Sequence, residues 1–129
     1  MLEIEICVDV PDLERGVRFY ADAFGFAKVS EPYPGVAVIA TDAGKITLLQ
    51  KPELSKPSPN AKDVRRYIRH WTPVHLDFHV ADLKTALDKA VKAGAIEEQL
   101  FESAEQGSAA FCADPFGSGF CLLERKPKS

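Results

Sequence analysis

Two of the three histidines in this chain stand with a carboxylate on one face of one short segment. In Pro73-Val74-His75-Leu76-Asp77-Phe78-His79-Val80-Ala81-Asp82, the apolar Val74, Leu76, Phe78 and Val80 alternate with His75, Asp77 and His79. A period of two predicts a strand with one face on a core and the other wet or lining a cavity. Imidazoles and a carboxylate on that second face are groups that hold metal ions or move protons. The plainer reading is a hydrogen-bonded pair that steadies a sheet. Seventy positions earlier the pattern occurs again, in Glu3-Ile4-Glu5-Ile6-Cys7-Val8-Asp9-Val10-Pro11-Asp12. There Ile4, Ile6, Val8 and Val10 take the apolar positions and Glu3, Glu5, Cys7 and Asp9 the polar ones. Two such strands point to one polar site shared between two repeats.

The elements that position these groups can be read around them. Residues 2–10 read as a strand. Asp12 caps a helix whose Leu13, Val17, Tyr20 and Phe24 share a face, and Gly25 ends it. Gly16 within it costs about 1 kcal/mol against Ala or marks a close-packing point. Strands follow over 26–31, 36–41 and 45–51, joined by turns at Pro32-Tyr33-Pro34-Gly35 and Asp42-Ala43-Gly44. Residues 52–72, with Pro52, Pro57 and Pro59, read as a linker in which Asn60 caps a short helix over 61–69. That segment is the most basic in the chain. It is a solvated connection, or a lid whose Arg65, Arg66 and Arg69 meet an anionic substrate group or a second subunit. The second half repeats the first. A strand over 74–80 leads to a helix capped by Asp82, with Leu83, Leu87, Ala90 and Val91 on one face and Gly94 at its end. Strands over 95–101, 107–113 and 119–124 complete it, with Asp114-Pro115-Phe116-Gly117 as a turn. This ordered self-similarity is read as an internal duplication.

At 129 residues the chain is one domain by size, or two small fused modules. The expected boundaries are a module over 1–51, a linker over 52–72 and a module over 73–129. A net charge of −3 argues against nucleic acid as a partner. No apolar run approaches the roughly 20 residues of a membrane span, and acids from Glu3 onward do not fit a signal segment. Cys7, Cys112 and Cys121 are an odd count without metal-type spacing. Together these features predict a cytoplasmic protein that meets neither membrane nor nucleic acid.

The ordered motifs resemble the vicinal oxygen chelate superfamily, which includes glyoxalase I, extradiol dioxygenases, and fosfomycin- and bleomycin-resistance proteins. The resemblance rests on Val10-Pro11-Asp12-Leu13, Arg18-Phe19-Tyr20 and Phe24-Gly25-Phe26. It rests also on the stretch from His75 to Leu83 and on Asp114-Pro115-Phe116-Gly117 leading into Leu122-Leu123-Glu124. It implies an α+β fold of two tandem βαβββ modules, forming a curved, partly open eight-stranded barrel-like sheet around a cavity. It implies metal ligands at Glu5, Gln50, His75 and Glu124, with Glu124 or Glu5 as the catalytic base. Asp77 and His79 would orient ligands, and Cys7 would face the same cavity. Three oxygens and one imidazole would suit one divalent ion: Mn, Fe, Co, Ni or Mg, with Zn possible. The implied activity is a metal-dependent lyase or isomerase of a small oxygenated substrate. The alternative is a metal-free ligand-sequestering protein of the bleomycin-resistance type. A ring-cleaving dioxygenase is disfavoured because its iron wants a second histidine. Family members typically dimerise, so the resemblance also implies a homodimer.

Overall fold

The computed structural model describes residues 1–125. Two βαβββ modules follow one another. In the first, β1 (Cys7–Val10) leads to α1 (Leu13–Phe24) and then to β2 (Ala27–Tyr33), β3 (Val36–Thr41) and β4 (Gly44–Gln50). In the second, β5 (Leu76–His79) leads to α2 (Leu83–Ala93), β6 (Ile96–Ser103), β7 (Gly107–Ala113) and β8 (Gly119–Glu124). Each module forms one four-stranded mixed sheet, in the order β1-β4-β3-β2 and β5-β8-β7-β6. The first and last strands pair in parallel and the others antiparallel. The helix that follows the first strand supplies the crossover a parallel pair requires.

Compact packing divides the described residues into 1–21 with 25–67, and 22–24 with 68–125. In the first unit, Val10, Ile39 and Leu48 are fully buried with Phe19, Tyr20 and Ala37 around them. The buried face of α1 is turned toward Gly16 and Phe19, away from the expected Leu13 and Val17, which stay half-buried. A Cβ on Gly16 would lie 3.1 Å from one Val10 methyl and 3.3 Å from Leu48 Cδ1. Gly16 is therefore a close-packing point. In the second unit, Leu122, Ala90, Cys112 and Phe120 form the core with Leu83 and Leu87. Phe24 stacks on Phe78 with centroids 4.3 Å apart, and Phe120 meets it edge-on.

Both helices start and stop as their sequences dictate. Asp12 and Asp82 accept from Arg15 N–H and Thr85 N–H, the side-chain caps that helix starts favour. Gly25 ends α1 with φ +79°, in the left-handed region. The expected helix over 61–69 does not form. Leu54 N–H donates to Arg65 O and Arg65 N–H to Ser55 O. Those cross-segment bonds use backbone groups that a helix would need. The first strand of each module is also shorter than the alternation suggested. In the second module β8 begins at Gly119 and Leu76 already pairs with Phe120, so β5 has little partner strand before it.

Candidate metal centre

Strand register decides which side chains share a surface. Cys7 lies beside Thr47 in the first sheet, and Asp77 beside Cys121 in the second. Alternation carries Glu5 and Asp9 to the side of Cys7, and His75 and His79 to the side of Asp77. The contacts agree. Thr47 Oγ1 donates to Glu5 Oε1 at 2.7 Å, and His75 Nε2 stands 3.1 Å from Asp77 Oδ1. One ligand atom each from His75, Asp77 and Cys121 lies within 4.8 Å of the others. Among the described residues this is the only His/Cys/Asp/Glu cluster of that kind.

Cys121 is half-buried, whereas His75 and Asp77 are open to solvent. Burial, followed by the Asp77 carboxylate to which the thiol is hydrogen-bonded, pushes Cys121 up to about 11. Arg69 opposes that rise. The Arg69 guanidinium lies over Gly119, where an added Cβ would come within 2.7 Å of Nη2. Gly119 is two residues from Cys121 and so on the same face. Nε and Nη2 of Arg69 donate to the two Glu98 oxygens at 2.7 and 3.2 Å, and Nη1 donates to His70 O. Glu98 lies at the register shift between Glu97 and Gln99. A bulge there re-aims a side chain out of the ladder.

Within each module, the ligand positions implied by the family resemblance fall on opposite faces of the sheet. Glu5 and His75 are on the alternating polar faces. Gln50 and Glu124 are on the helix-bearing faces, beside the buried Leu48 and Leu122. Gln50 Oε1 accepts from Leu13 N–H, and Glu124 Oε1 from Leu83 N–H, both at 2.8 Å. Leu13 and Leu83 are the first residues of α1 and α2, whose leading N–H groups have no partner within the helix. The positions that register places beside Cys7 and Asp77 are Thr47 and Cys121. Each lies three residues earlier, an odd step that reverses the face. The signal was present in β8, where Phe120 and Leu122 read as the core face and leave Cys121 opposite.

The remaining candidates are spread out. Cys7 is exposed on the Glu5 face, its thiol raised by burial and then by Glu5 and Asp9. His79 Nε2 stands 3.4 Å from Arg125 Nη2. Arg65 Nε donates to Asp9 Oδ2 at 2.8 Å and Nη1 to Ser55 Oγ and Lys56 O, in a half-buried arrangement. Arg66 is paired with Asp63 at the surface. Of the three arginines, Arg69 shares the cluster's face.

A family model described as a glyoxalase-like domain matches residues 5–123. The chain belongs to the glyoxalase-like domain family. The match supports the vicinal oxygen chelate reading and spans both modules of the glyoxalase-like chain. No curated protein matches it. Among solved structures, it is similar to the genomically encoded fosfomycin resistance protein FosX from Listeria monocytogenes. There the identity is 14%, with 98% of this chain and 96% of that one covered and a TM-score of 0.72. The hypothetical protein SA1046 from S. aureus is 18% identical, with 96% and 97% covered and a TM-score of 0.68. Lactoylglutathione lyase from Agrobacterium tumefaciens is 16% identical, with 95% and 92% covered and a TM-score of 0.65. At these identities the likeness is one of fold. No helix among the described residues is long and apolar enough to cross a membrane.

Proposed function

We propose that this glyoxalase-like chain is a divalent-metal-dependent lyase or isomerase acting on a small oxygenated substrate. The observation that carries the reading is the convergence of His75, Asp77 and Cys121 within 4.8 Å. An imidazole nitrogen, a carboxylate oxygen and a thiol sulfur at that separation fit one ion. This donor set suits Zn, Co, Fe or Ni better than Mg or Mn, which the more oxygen-rich expectation allowed. A bound ion would polarise a substrate oxygen as a Lewis acid and make a neighbouring proton removable.

The chain's own groups divide the remaining work. His79, on the same face as Asp77, is the proposed proton acceptor. Its Nε2 stands 3.4 Å from Arg125 Nη2. In the first module Glu5 occupies the position equivalent to His75 and stays the proposed acid-base group of that face. Gln50 and Glu124 are assigned to holding the helix starts, because their oxygens already accept helix N–H groups. A homodimer belongs to the same proposal. The support is exposed apolar surface at Met1, Leu2 and Ile4, and at Ile68, Trp71 and Val74.

The test is metal content after purification without chelator. We expect about one equivalent of metal per chain, because folded ligand sets of this kind retain their ion. Reconstitution with Co(II) should give thiolate-to-cobalt absorption. Both signals should vanish in His75→Ala and Cys121→Ala and persist in Glu124→Gln. A wild-type protein that takes up neither Zn nor Co would sink the metal-dependent reading. The sequestering role without metal would then stand in its place.

A further inference from the structure

We propose that the second module carries an aromatic subsite, built by Phe101 and Phe111. It would receive the flat apolar body of a small ligand whose oxygen-bearing head sits at His75, Asp77 and Cys121. The placement of the head rests on the function proposed above; the subsite rests on separate observations. Phe111 is the cross-strand partner of Cys121. Directly opposed residues share a face, with Cβ atoms about 4.5–5.5 Å apart. The Phe101 and Phe111 ring centroids are 5.8 Å apart, so Phe101 belongs to the same surface. Both rings keep substantial exposure, 53% for Phe101 and 37% for Phe111. Ala109 pairs with Phe101 on one side and with Leu123 on the other. A methyl floor thus lies between three larger side chains, and the polar cluster begins at the next strand position.

The neighbours of this exposed aromatic pair argue for a small molecule as its occupant. A protein surface laid over the phenylalanines would also cover His75, Asp77 and the Arg69–Glu98 ion pair beside them. Removing those charges from water is costly unless each is matched. A compact ligand with an arene at one end and oxygen donors at the other complements both parts of the face. Its chemical class is an aryl-bearing hydroxy- or oxo-acid, whose carboxylate would be matched by the ion of the function proposed above.

Mandelate and lactate test this directly, because they share a hydroxy-acid head and differ in phenyl against methyl. On zinc-loaded protein, mandelate should bind about tenfold or more tightly than lactate, the scale on which apolar pockets discriminate by size. Phe101→Ala and Phe111→Ala should each bring that ratio toward one, with lactate affinity, zinc content and melting behaviour unchanged. A second arm uses zinc-free protein and reads saturation transfer from phenylalanine ring protons to the mandelate phenyl. Transfer without zinc uptake would support the subsite while the metal reading fails. Zinc uptake with a ratio near one, or a ratio indifferent to both substitutions, would overturn the subsite alone. So would a solution dimer in which Phe101 and Phe111 show contacts to a second copy.

Discussion

Cys112 and Cys121 sit on neighbouring strands and face opposite ways. Cys112 pairs with Phe120 on the core side, and Cys121 with Phe111 on the open side. Burial, with a smaller push from Glu97, raises Cys112 to about 11 from its ordinary 9.0. The folded chain therefore holds this proton more tightly than the unfolded one. Its contribution to stability is complete below pH 9.0 and is lost as the pH rises through about 11. Urea midpoints should fall over that window, and Cys112→Ala should lessen the fall while leaving the part that Cys121 contributes. Cysteine spacing along the chain gave no hint that Cys121 belongs with a histidine and an acid. Pairing across a parallel ladder brings it to Asp77, and that register is invisible in one sequence. His75 and Asp77 were legible because two-residue alternation alone puts them on one face.

Helix starts show what local reading captures and what it misses. Asp12 and Asp82 announced their caps within three residues of the N–H groups they bind. The second acceptor at each start, Gln50 or Glu124, arrives from about 40 residues away along the chain and could not be seen locally. Replacing either with Ala should cost about 1 kcal/mol of stability, the usual loss for a helix cap. Denaturant titration would read the loss, and metal content should not change. Gly16 offers a sharper contrast. Gly→Ala in a free helix gains about 1 kcal/mol, but the new methyl would press on Val10 and Leu48. Overpacking of that kind costs about 1–3 kcal/mol. Gly16→Ala should therefore leave the protein no more stable and as much as about 2 kcal/mol less stable. A higher melting temperature would show that Val10 moves aside. The missing helix over 61–69 has a related cause. Its composition is compatible with a helix, but Arg65 makes its backbone bonds to residues 54 and 55.

For the whole molecule, duplication was the most legible property. Alternation, caps and turns recur in order, and the structure returns two modules of like strand order. Association was suggested by the family resemblance and by one reading of the basic segment, as a lid meeting a second subunit, and the proposed dimer draws its support from exposed apolar side chains. Met1, Leu2, Ile4, Trp71 and Val74 are each more than 70% exposed in the single chain. Contiguous exposed apolar patches mark interaction surfaces, and the proposed dimer would cover these side chains. Sedimentation at micromolar concentration should give twice the mass of one chain. Trp71→Ser, which alters one of these exposed positions, should shift the equilibrium toward the single chain. A monomer at every concentration would remove the dimer from the proposal.

The opposed faces of β4 and β8 also bear on how such a protein can change over time. Gln50 and Glu124 anchor helices from one side, while Thr47 and Cys121 stand on the other. Substitutions on that opposite face leave the anchors in place; Cys121 is half-buried there and Thr47 is buried. The two modules have already diverged there, with a hydroxyl in one and a thiol in the other. A lineage can thus trial new reactive groups at these positions while inheriting its scaffold intact, which is a route by which one architecture comes to host many chemistries.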